Sequence, residues 1–545
     1  MSNHREKGNE AFKKGDFVSS WTLYTQGLSE DPTDPFLWCN RSLVNIKLET
    51  FELGYMDAQK ARDLLTSSSI PNPNSPYSTR LLEDINLQSL LIKAYRRMAE
   101  SMSLFGVSQR AVVILENLIN HPTYSKYITN NKDKEDFNAM LEKCRNKSKS
   151  TRETLTRSIP DTNASKQEYI EKCLDMGSSD FDYPWDRKRQ ENRCSDANIQ
   201  LLQKELTPYL QCNVSVGRVT FANSNSSNSS SSGFSSFQIG VFTEDDIPEG
   251  MVIWKEEPFL VVHPYTIPRC HHCARRIRGV NNEHPEAPPN FKCEKSNCDE
   301  VFCSKQCYEM AESRYHTLLC GKDLQPLLSL VRQGKSGNND KNPMMLLKLF
   351  AIAKIKKISP LDVSNIRYLS QFHPSKPSSP SIHNTSTTLP AILIEYYLET
   401  LSILGISPYD AKYDFWIYIT LFNILRVNVF GSPGYLCLYR FISLINHSCQ
   451  FNITTLHLIS NDEDRTPKYE FEENDMAVIS SREIERGEQI LASYCDPNIS
   501  KMRRGMVLVP TYGFECDCEK CKNEDPKDLS SLYSIPLWLI KTPEE

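Results

Sequence analysis

The sequence predicts a multi-domain α+β chain, with an all-α array at the N-terminus followed by β-rich, metal-stapled segments. Three observations carry this expectation. The 545 residues amount to three or four ordinary domains at about 150 residues each. A helical echo with a period of about 34 residues opens the chain. Seven cysteines and His316 fall within the 51 residues from Cys270 to Cys320, metal-ligand density in a chain of 18 cysteines.

Composition excludes several classes. Lys+Arg 63 against Asp+Glu 68 leaves a net charge of −5, so no overall field gathers polyanions and nucleic acid is not an expected partner. The first residues, MSNHREKGNEAFKKGD, lack an apolar h-region, and secretion is not expected. The most apolar stretches, Ile392–Ile406 and Phe415–Val429, are broken by Glu395, Glu399, Asn423 and Arg426, so no membrane span is expected. The expected location is cytoplasm and nucleus, where thiols stay free or hold metal. A monomer is expected.

The helical array comes first. Gly8, Phe12, Gly15-Asp16-Phe17, Tyr24, Gly27 and Pro32 fit one helix pair, with small residues where two helices approach closely. A second pair spans Asp34–Thr66, with Ser42, Gly54, Ala58 and Ala61 at the matching places, and a third spans Ser89–Asn120. Three are needed to bury a continuous core. Residues 1–120 resemble tetratricopeptide repeats of the kind that clamp the C-terminal carboxylates of heat-shock chaperones. That resemblance implies clamp positions at Arg5, Asn9, Asn40, Lys93 and Arg97, whose cationic and amide groups suit peptide carboxylates. A plain solvated helix face is the alternative. Residues 121–212 read as a helical and irregular connector.

SVGRVTFA and SFQIGVFT then read as strands joined by the low-complexity run Asn223–Ser236, a long hairpin insertion. From Cys270 the ligands run C-x2-C (Cys270, Cys273), C-x4-C (Cys293, Cys298), C-x3-C (Cys303, Cys307) and His316-x3-Cys320. Eight ligands make two closed, structural zinc sites that staple a segment with little aliphatic core. Spacing alone does not say which ligands share a metal. The segment resembles the MYND zinc finger, which implies cross-bracing: Cys270, Cys273, Cys303 and Cys307 on one zinc, and Cys293, Cys298, His316 and Cys320 on the other. It also implies corepressor and histone deacetylase proteins as partners. His271 and His272 are expected at the surface or behind the ligands. Arg269, Arg275, Arg276 and Arg278 form a basic patch without a DNA-reading helix.

Nearer the C-terminus, an apolar run ends in Asn446-His447-Ser448-Cys449, GEQILASY follows at 487–494, and Cys516-x-Cys518-x2-Cys521 comes after it. Three close cysteines need a fourth ligand, and Cys449 supplies one for a third Zn2+. NHSC, GEQILASY and FECDCEKC together resemble a SET methyltransferase domain with its post-SET zinc. With a MYND finger ahead of it, the chain is identified as similar to the SET- and MYND-domain family, in its branch with N-terminal tetratricopeptide repeats. The resemblance implies a SET domain in pieces: 213–262, then the finger at 270–320, a helical insert at 324–423, the catalytic core at 424–496, a post-SET segment at 497–525 and a tail at 526–545. The tail leaves no length for a C-terminal helical domain, and the N-terminal array is expected to cover the cleft instead.

The implied activity is S-adenosyl-L-methionine-dependent protein-lysine N-methylation of histone or non-histone proteins, chaperone-linked and tied to transcription. Methyl transfer from a sulfonium is an in-line displacement, so positioning and dehydration dominate. The resemblance makes Tyr494 the catalytic residue. It assigns the cofactor to Phe237, Gln238, Ile239, Gly240, Asn428, Asn446, His447, Tyr494 and Phe514, with Tyr512 as a wall of the lysine channel. One departure stands out: the family's Gly-x-Gly is reduced to Gly240, and Gln238 brings a Cβ expected to crowd the ligand. The alternative is a weakly active or inactive SET-fold scaffold that binds partners through its finger and repeats. The tract Arg367–Pro390, rich in Pro, Ser and Thr, is expected to be a disordered loop.

Overall fold

The computed structural model describes residues 3–66, 83–158, 166–179, 183–220, 237–263, 269–275, 277, 291–293, 295, 297–298, 300–333, 342–372, 388–432, 435–457 and 475–524. The chain divides into two compact units. One comprises Met1–Trp185, Pro326–Asn338 and Thr387–Ile419, and the other Asp186–Gln325, Asn339–Ser386 and Thr420–Glu545. The expected insert at 324–423 is therefore shared between them. The low-complexity run, the tail from 525, and Arg276 and Arg278 of the basic patch lie outside the described residues.

The first unit opens with three successive helix pairs: α1 (Asn3–Lys13) with α2 (Phe17–Glu30), α3 (Pro35–Lys47) with α4 (Phe51–Thr66), and α5 (Ile85–Phe105) with α6 (Ser108–Ile119). Their starts follow local chemistry. Asp16 accepts from Ser19 N, Asp34 from Phe36 N and Leu37 N, and Asp84 from Asn86 N and Leu87 N, each satisfying donors that the first turn leaves free. Small residues set the spacing of the helices. A Cβ on Gly8 would lie 2.5 Å from the Tyr24 ring, and one on Gly54 would lie 2.8 Å from Ser101 Oγ. Ala58 and Ala61 are fully buried.

The connector is more helical than its composition implied. Helix Asn131–Ser158 packs on α6, and helix Lys166–Leu174 packs back on it. Strand Met176–Ser178 pairs antiparallel with Thr388–Pro390, ahead of helix Leu393–Leu404. At the centre of this unit Arg41 clamps Asp57 with two bonds of 2.7 Å and reaches Asp414 Oδ2 at 2.7 Å, while Lys60 Nζ donates to Asp414 Oδ1 at 2.8 Å. The guanidinium lies over the Trp21 and Trp38 rings.

The second unit carries the strands. Val214–Thr220 and Phe237–Thr243 form the expected hairpin. A three-stranded antiparallel sheet runs Ile453–His457, Met476–Ser480, Val252–Glu256, and another runs Leu260–Val262, Tyr435–Leu438, Val429–Ser432. Asn446–His447 pairs in parallel with Leu491–Ala492, which brings NHSC against GEQILASY. Helices Arg187–Arg193 and Asp196–Leu206 fall in the connector read as helical and irregular. The start of the supposed loop tract is also ordered: Tyr368, Leu369 and Phe372 are buried, and Phe372 N donates to Asn423 O. These three side chains hold the described start of the tract, up to residue 372, while 373–387 lie outside the described residues. No helix among the described residues is long and apolar enough to cross a membrane.

Candidate active site and metal centres

Three sets of metal-type donors assemble, each with its donor atoms within 4.8 Å of one another: Cys270, Cys273, Cys303 and Cys307; Cys293, Cys298, His316 and Cys320; and Cys449, Cys516, Cys518 and Cys521. Sulfur separations such as 3.6 Å for Cys273–Cys303, 3.7 Å for Cys293–Cys320 and 3.5 Å for Cys449–Cys521 match the edge of a tetrahedron built on a Zn–S bond, about 3.8 Å. Soft donors in closed fours fit Zn2+ in a structural role.

The surroundings extend that fit. His316 turns Nε2 toward Cys293 Sγ at 3.4 Å and its Nδ1 lies 2.9 Å from Glu300 Oε2, so a carboxylate sits behind the imidazole and fixes its orientation. Glu300 was not singled out from sequence; its only signal is an acidic residue between two ligands. His271 and His272 serve the interior: Val301 N donates to His271 Nδ1 at 2.9 Å, and buried His272 faces Tyr315 Oη at 3.2 Å. At the third set, Arg504 is buried with Nη2 3.2 Å from Cys521 Sγ, a cation that offsets four clustered thiolates.

Beside that third set lies an aromatic group. The ring of Tyr494 is 4.7 Å from Tyr512, 5.2 Å from His447 and 6.4 Å from Phe514, and His447 is 5.7 Å from Phe514. The backbone fixes the imidazole. Tyr494 N donates to His447 Nδ1 at 3.0 Å, so the ring proton sits on Nε2, which points at Cys449 Sγ 3.4 Å away. Burial, and then the Arg504 cation, push His447 down to about 4, which keeps it neutral. The Tyr494 hydroxyl donates to Ile445 O at 2.5 Å. Its proton is thereby committed and its lone pairs stay available as acceptors. Burial, followed by Tyr512, pushes this phenol well above its usual range, so it is not an acid or base near neutrality.

The other expected cofactor residues fall in two places. Asn446 Nδ2 donates to Ile239 O at 2.9 Å, tying NHSC to the strand that begins at Phe237. On that strand a Cβ at Gly240 would lie 2.5 Å from Val219 Cγ2 and 2.8 Å from Gln489 Nε2, so packing within the protein already demands glycine there. The side chain of Gln238 is drawn to Arg193, whose Nη2 donates to its Oε1 at 2.8 Å. Asn428 is buried and donates to Ser370 O and Ile424 O, each at 2.7 Å, which commits both amide hydrogens internally. Glu256, missed from sequence, is buried with its carboxylate accepting from Phe441 N and Ile442 N, and burial pushes it up to about 7 despite those bonds. It braces the turn that leads into Asn446. A cavity of about 350 Å3 lies elsewhere in this unit, against Tyr209, Glu256, Arg314, Arg440 and Asp475, and none of the aromatic group lines it.

The clamp candidates of the first unit all sit on the first helix of their pairs: Arg5 and Asn9 on α1, Asn40 on α3, Lys93 and Arg97 on α5. Spacings of four residues place each pair on one helix face. Asn9 Oδ1 accepts from Asn40 Nδ2 at 3.1 Å and from Tyr24 Oη at 2.7 Å. Arg5 lies 3.8 Å from Asp34 and over the Phe36 ring, Arg97 donates to Cys39 O, and Lys93 is exposed.

Residues 238–495 match the model of the SET domain family. The histone-lysine N-methyltransferase SET5 of Scheffersomyces stipitis is 24% identical over 52% of this chain and 62% of its own length. A SET and MYND domain-containing protein of Dictyostelium discoideum is 25% identical over 50% of this chain and 77% of its own length. The SET domain and MYND-type zinc finger protein 6 of Schizosaccharomyces pombe is 29% identical over 22% of this chain and 23% of its own. The aligned region thus spans less than two thirds of the SET5 relative.

Proposed function

We propose that this chain, whose residues 238–495 match the SET domain family and which is similar to SET and MYND domain-containing proteins, is a protein-lysine N-methyltransferase that uses S-adenosyl-L-methionine. The observation that carries the reading is the convergence of Tyr494, Tyr512 and Phe514 around His447, beside the paired strands that join NHSC to GEQILASY. The cofactor, when bound, supplies an electrophilic methyl on a sulfonium. The chain's own groups do the rest. Phe514 offers an aromatic face for adenine. Asn446 and His447 hold the strand edge in register. Tyr494, its proton held by Ile445 O, presents oxygen lone pairs that orient an incoming lysine amine, and Tyr512 walls the channel and excludes water.

Tyr494→Phe removes that acceptor and keeps the ring. Methyl transfer to a lysine substrate should fall by about 10²-fold, the scale of a lost positioning contact, while calorimetry still registers S-adenosylmethionine binding. Transfer at the wild-type rate would remove Tyr494 from the mechanism. Absence of cofactor binding by the wild type would favour the scaffold reading instead, in which finger and repeats bind partners such as corepressor and histone deacetylase proteins. The name of the SET5 relative, a histone-lysine methyltransferase, supports histone substrates and a nuclear activity beside a cytoplasmic one, and a chaperone link and a transcriptional role belong to the same proposal.

The first unit adds a docking function. Five donors on three first helices, with Lys93 exposed, suit an acidic C-terminal peptide of the heat-shock type. Lys93→Ala should weaken binding of a Glu-Glu-Val-Asp peptide by roughly tenfold, the worth of one charge-assisted contact. Fluorescence anisotropy reads this, and indifference to Lys93→Ala would leave a solvated helix face.

A further inference from the structure

Arg193 ends helix Arg187–Arg193 and is 9% exposed. Its bonds go to neutral atoms only: Nη2 to Gln238 Oε1 at 2.8 Å and Nη1 to Tyr368 O at 3.3 Å. Among the described residues no carboxylate pairs with it, and the charged group that acts on it most is another cation, Arg189, apart from the neighbouring Cys194 thiol. A buried guanidinium without an anion is costly, because neutral acceptors replace only part of the hydration it has lost. Its planar fork of donors matches the geometry of a carboxylate.

Its position says which anion. Gln238 directly precedes Ile239, whose carbonyl accepts from Asn446 Nδ2, and Asn446 adjoins His447, whose Nδ1 accepts from Tyr494 N. Arg193 is thus one bonded step from the strand that carries the proposed cofactor residues. Arg426 also lacks a carboxylate, but its charge faces the Phe372 ring at 3.9 Å and its Nη2 donates to Pro510 O at 2.6 Å, and neither partner touches Asn446 or Ile239. S-adenosylmethionine carries a single carboxylate, which must itself be paired when it is taken out of water.

We propose that Arg193 is the anion-binding residue of the cofactor site, its guanidinium pairing with the carboxylate of S-adenosylmethionine while Gln238 serves as the neutral partner that holds it ready. The inference rests on the methyltransferase reading above. It also gives Gln238 a use: the side chain expected to obstruct the ligand is held by Arg193, and its amide oxygen yields the guanidinium to a better acceptor. A planar fork facing a carboxylate forms the stronger, charge-assisted bonds.

Calorimetry on the full chain with two ligands tests it: S-adenosylmethionine, and decarboxylated S-adenosylmethionine, which keeps the sulfonium, amine and adenosine. The wild type should prefer the carboxylate-bearing ligand by about 10- to 100-fold, the worth of a charge-assisted pair. Gln238→Glu places a carboxylate on Arg193 at the existing 2.8 Å, so the fold gains an ion pair and thermal stability is kept. In this variant the preference should vanish, through loss of S-adenosylmethionine affinity alone, and Arg193→Ala should erase it in the same way. An equal loss for both ligands in both variants, or an unchanged preference in Gln238→Glu, overturns the assignment of Arg193 alone. A wild type that binds neither ligand overturns the methyltransferase reading with it.

Discussion

Replacing Asp414 with alanine is expected to lower the stability of the first unit by about 3–5 kcal/mol, the cost of leaving buried charges without their partner. Arg41 and Lys60 are 2% and 4% exposed at their side chains, and both donate to this one carboxylate. Without it Arg41 still holds Asp57, whereas Lys60 loses its ion pair and is left over the face of the Trp38 ring, 4.3 Å away. Burial pushes Asp414 up, yet Arg41 and Lys60 together overcome burial and hold it well below the ordinary carboxylate range. A carboxylate with a depressed folded pKa contributes stability above its unfolded value and loses it as the pH falls toward the folded one. Asp57 runs the other way: burial outweighs Arg41 and pushes it up, so its contribution opposes that of Asp414, which is why the Asp414 variants and not the wild-type slope alone read the network. Urea unfolding followed by tryptophan fluorescence reads this locally, because Trp21 and Trp38 flank Arg41. The wild type should weaken as the pH drops below the carboxylate range, and Asp414→Asn, which keeps the shape, should lose that component. A change below about 1 kcal/mol would class the network with exposed ion pairs.

How far such features can be read from sequence depends on whether their partners are neighbours in the chain. The candidate metal ligands were legible from their residue types and spacing, the two foursomes of the finger from the resemblance and the third from the need of Cys516, Cys518 and Cys521 for a fourth donor, and the donors gather in those three groups. Gly8, Gly54, Ala58 and Ala61 marked the helix pairs because close approach leaves its trace at single positions. Asp414 left none: it lies 373 positions from Arg41 and reads as an ordinary acid ahead of an apolar helix. Gln238 was visible as a lost glycine, but the arginine that holds its side chain sits 45 positions upstream in the helical and irregular connector, whose polar composition marks no single residue. The segment Tyr368–Phe372 was averaged into a Pro- and Ser-rich tract, although its buried side chains act individually. Local chemistry was readable, and long-range pairing of charges was not.

If the third donor set holds zinc as proposed, removing that ion is expected to abolish methyl transfer, and the path runs through one imidazole. Cys449 holds His447 Nε2 at 3.4 Å, His447 Nδ1 holds Tyr494 N at 3.0 Å, and Tyr494 in turn rests against Tyr512 and Phe514, which lead into Cys516, Cys518 and Cys521. A zinc ion on these four thiols would close a ring of contacts around the site. Helix Glu519–Asn523 is five residues long with only Cys521 buried, and apart from the rings of Tyr512 and Phe514 the segment 512–521 is tied mainly through Lys520 to Gln450 and Pro497. Structural zinc is worth about 10–16 kcal/mol in small peptides, far more than any single bond in this ring. Cys518→Ala removes one ligand without touching the Cys449–His447 contact, which separates loss of the metal from loss of that hydrogen bond. Metal analysis should find three zinc ions per wild-type chain and two in Cys518→Ala. Methyl transfer by the variant should drop at least about 10²-fold, the upper range for disturbed metal surroundings, and hydrogen exchange should accelerate over helix Lys501–Tyr512. Because the other two donor sets share no ligand with this one, exchange in Lys305–Ala311 of the finger should stay as in the wild type. Three zincs retained in Cys518→Ala, or two zincs with transfer intact, would break the link from metal to Tyr494.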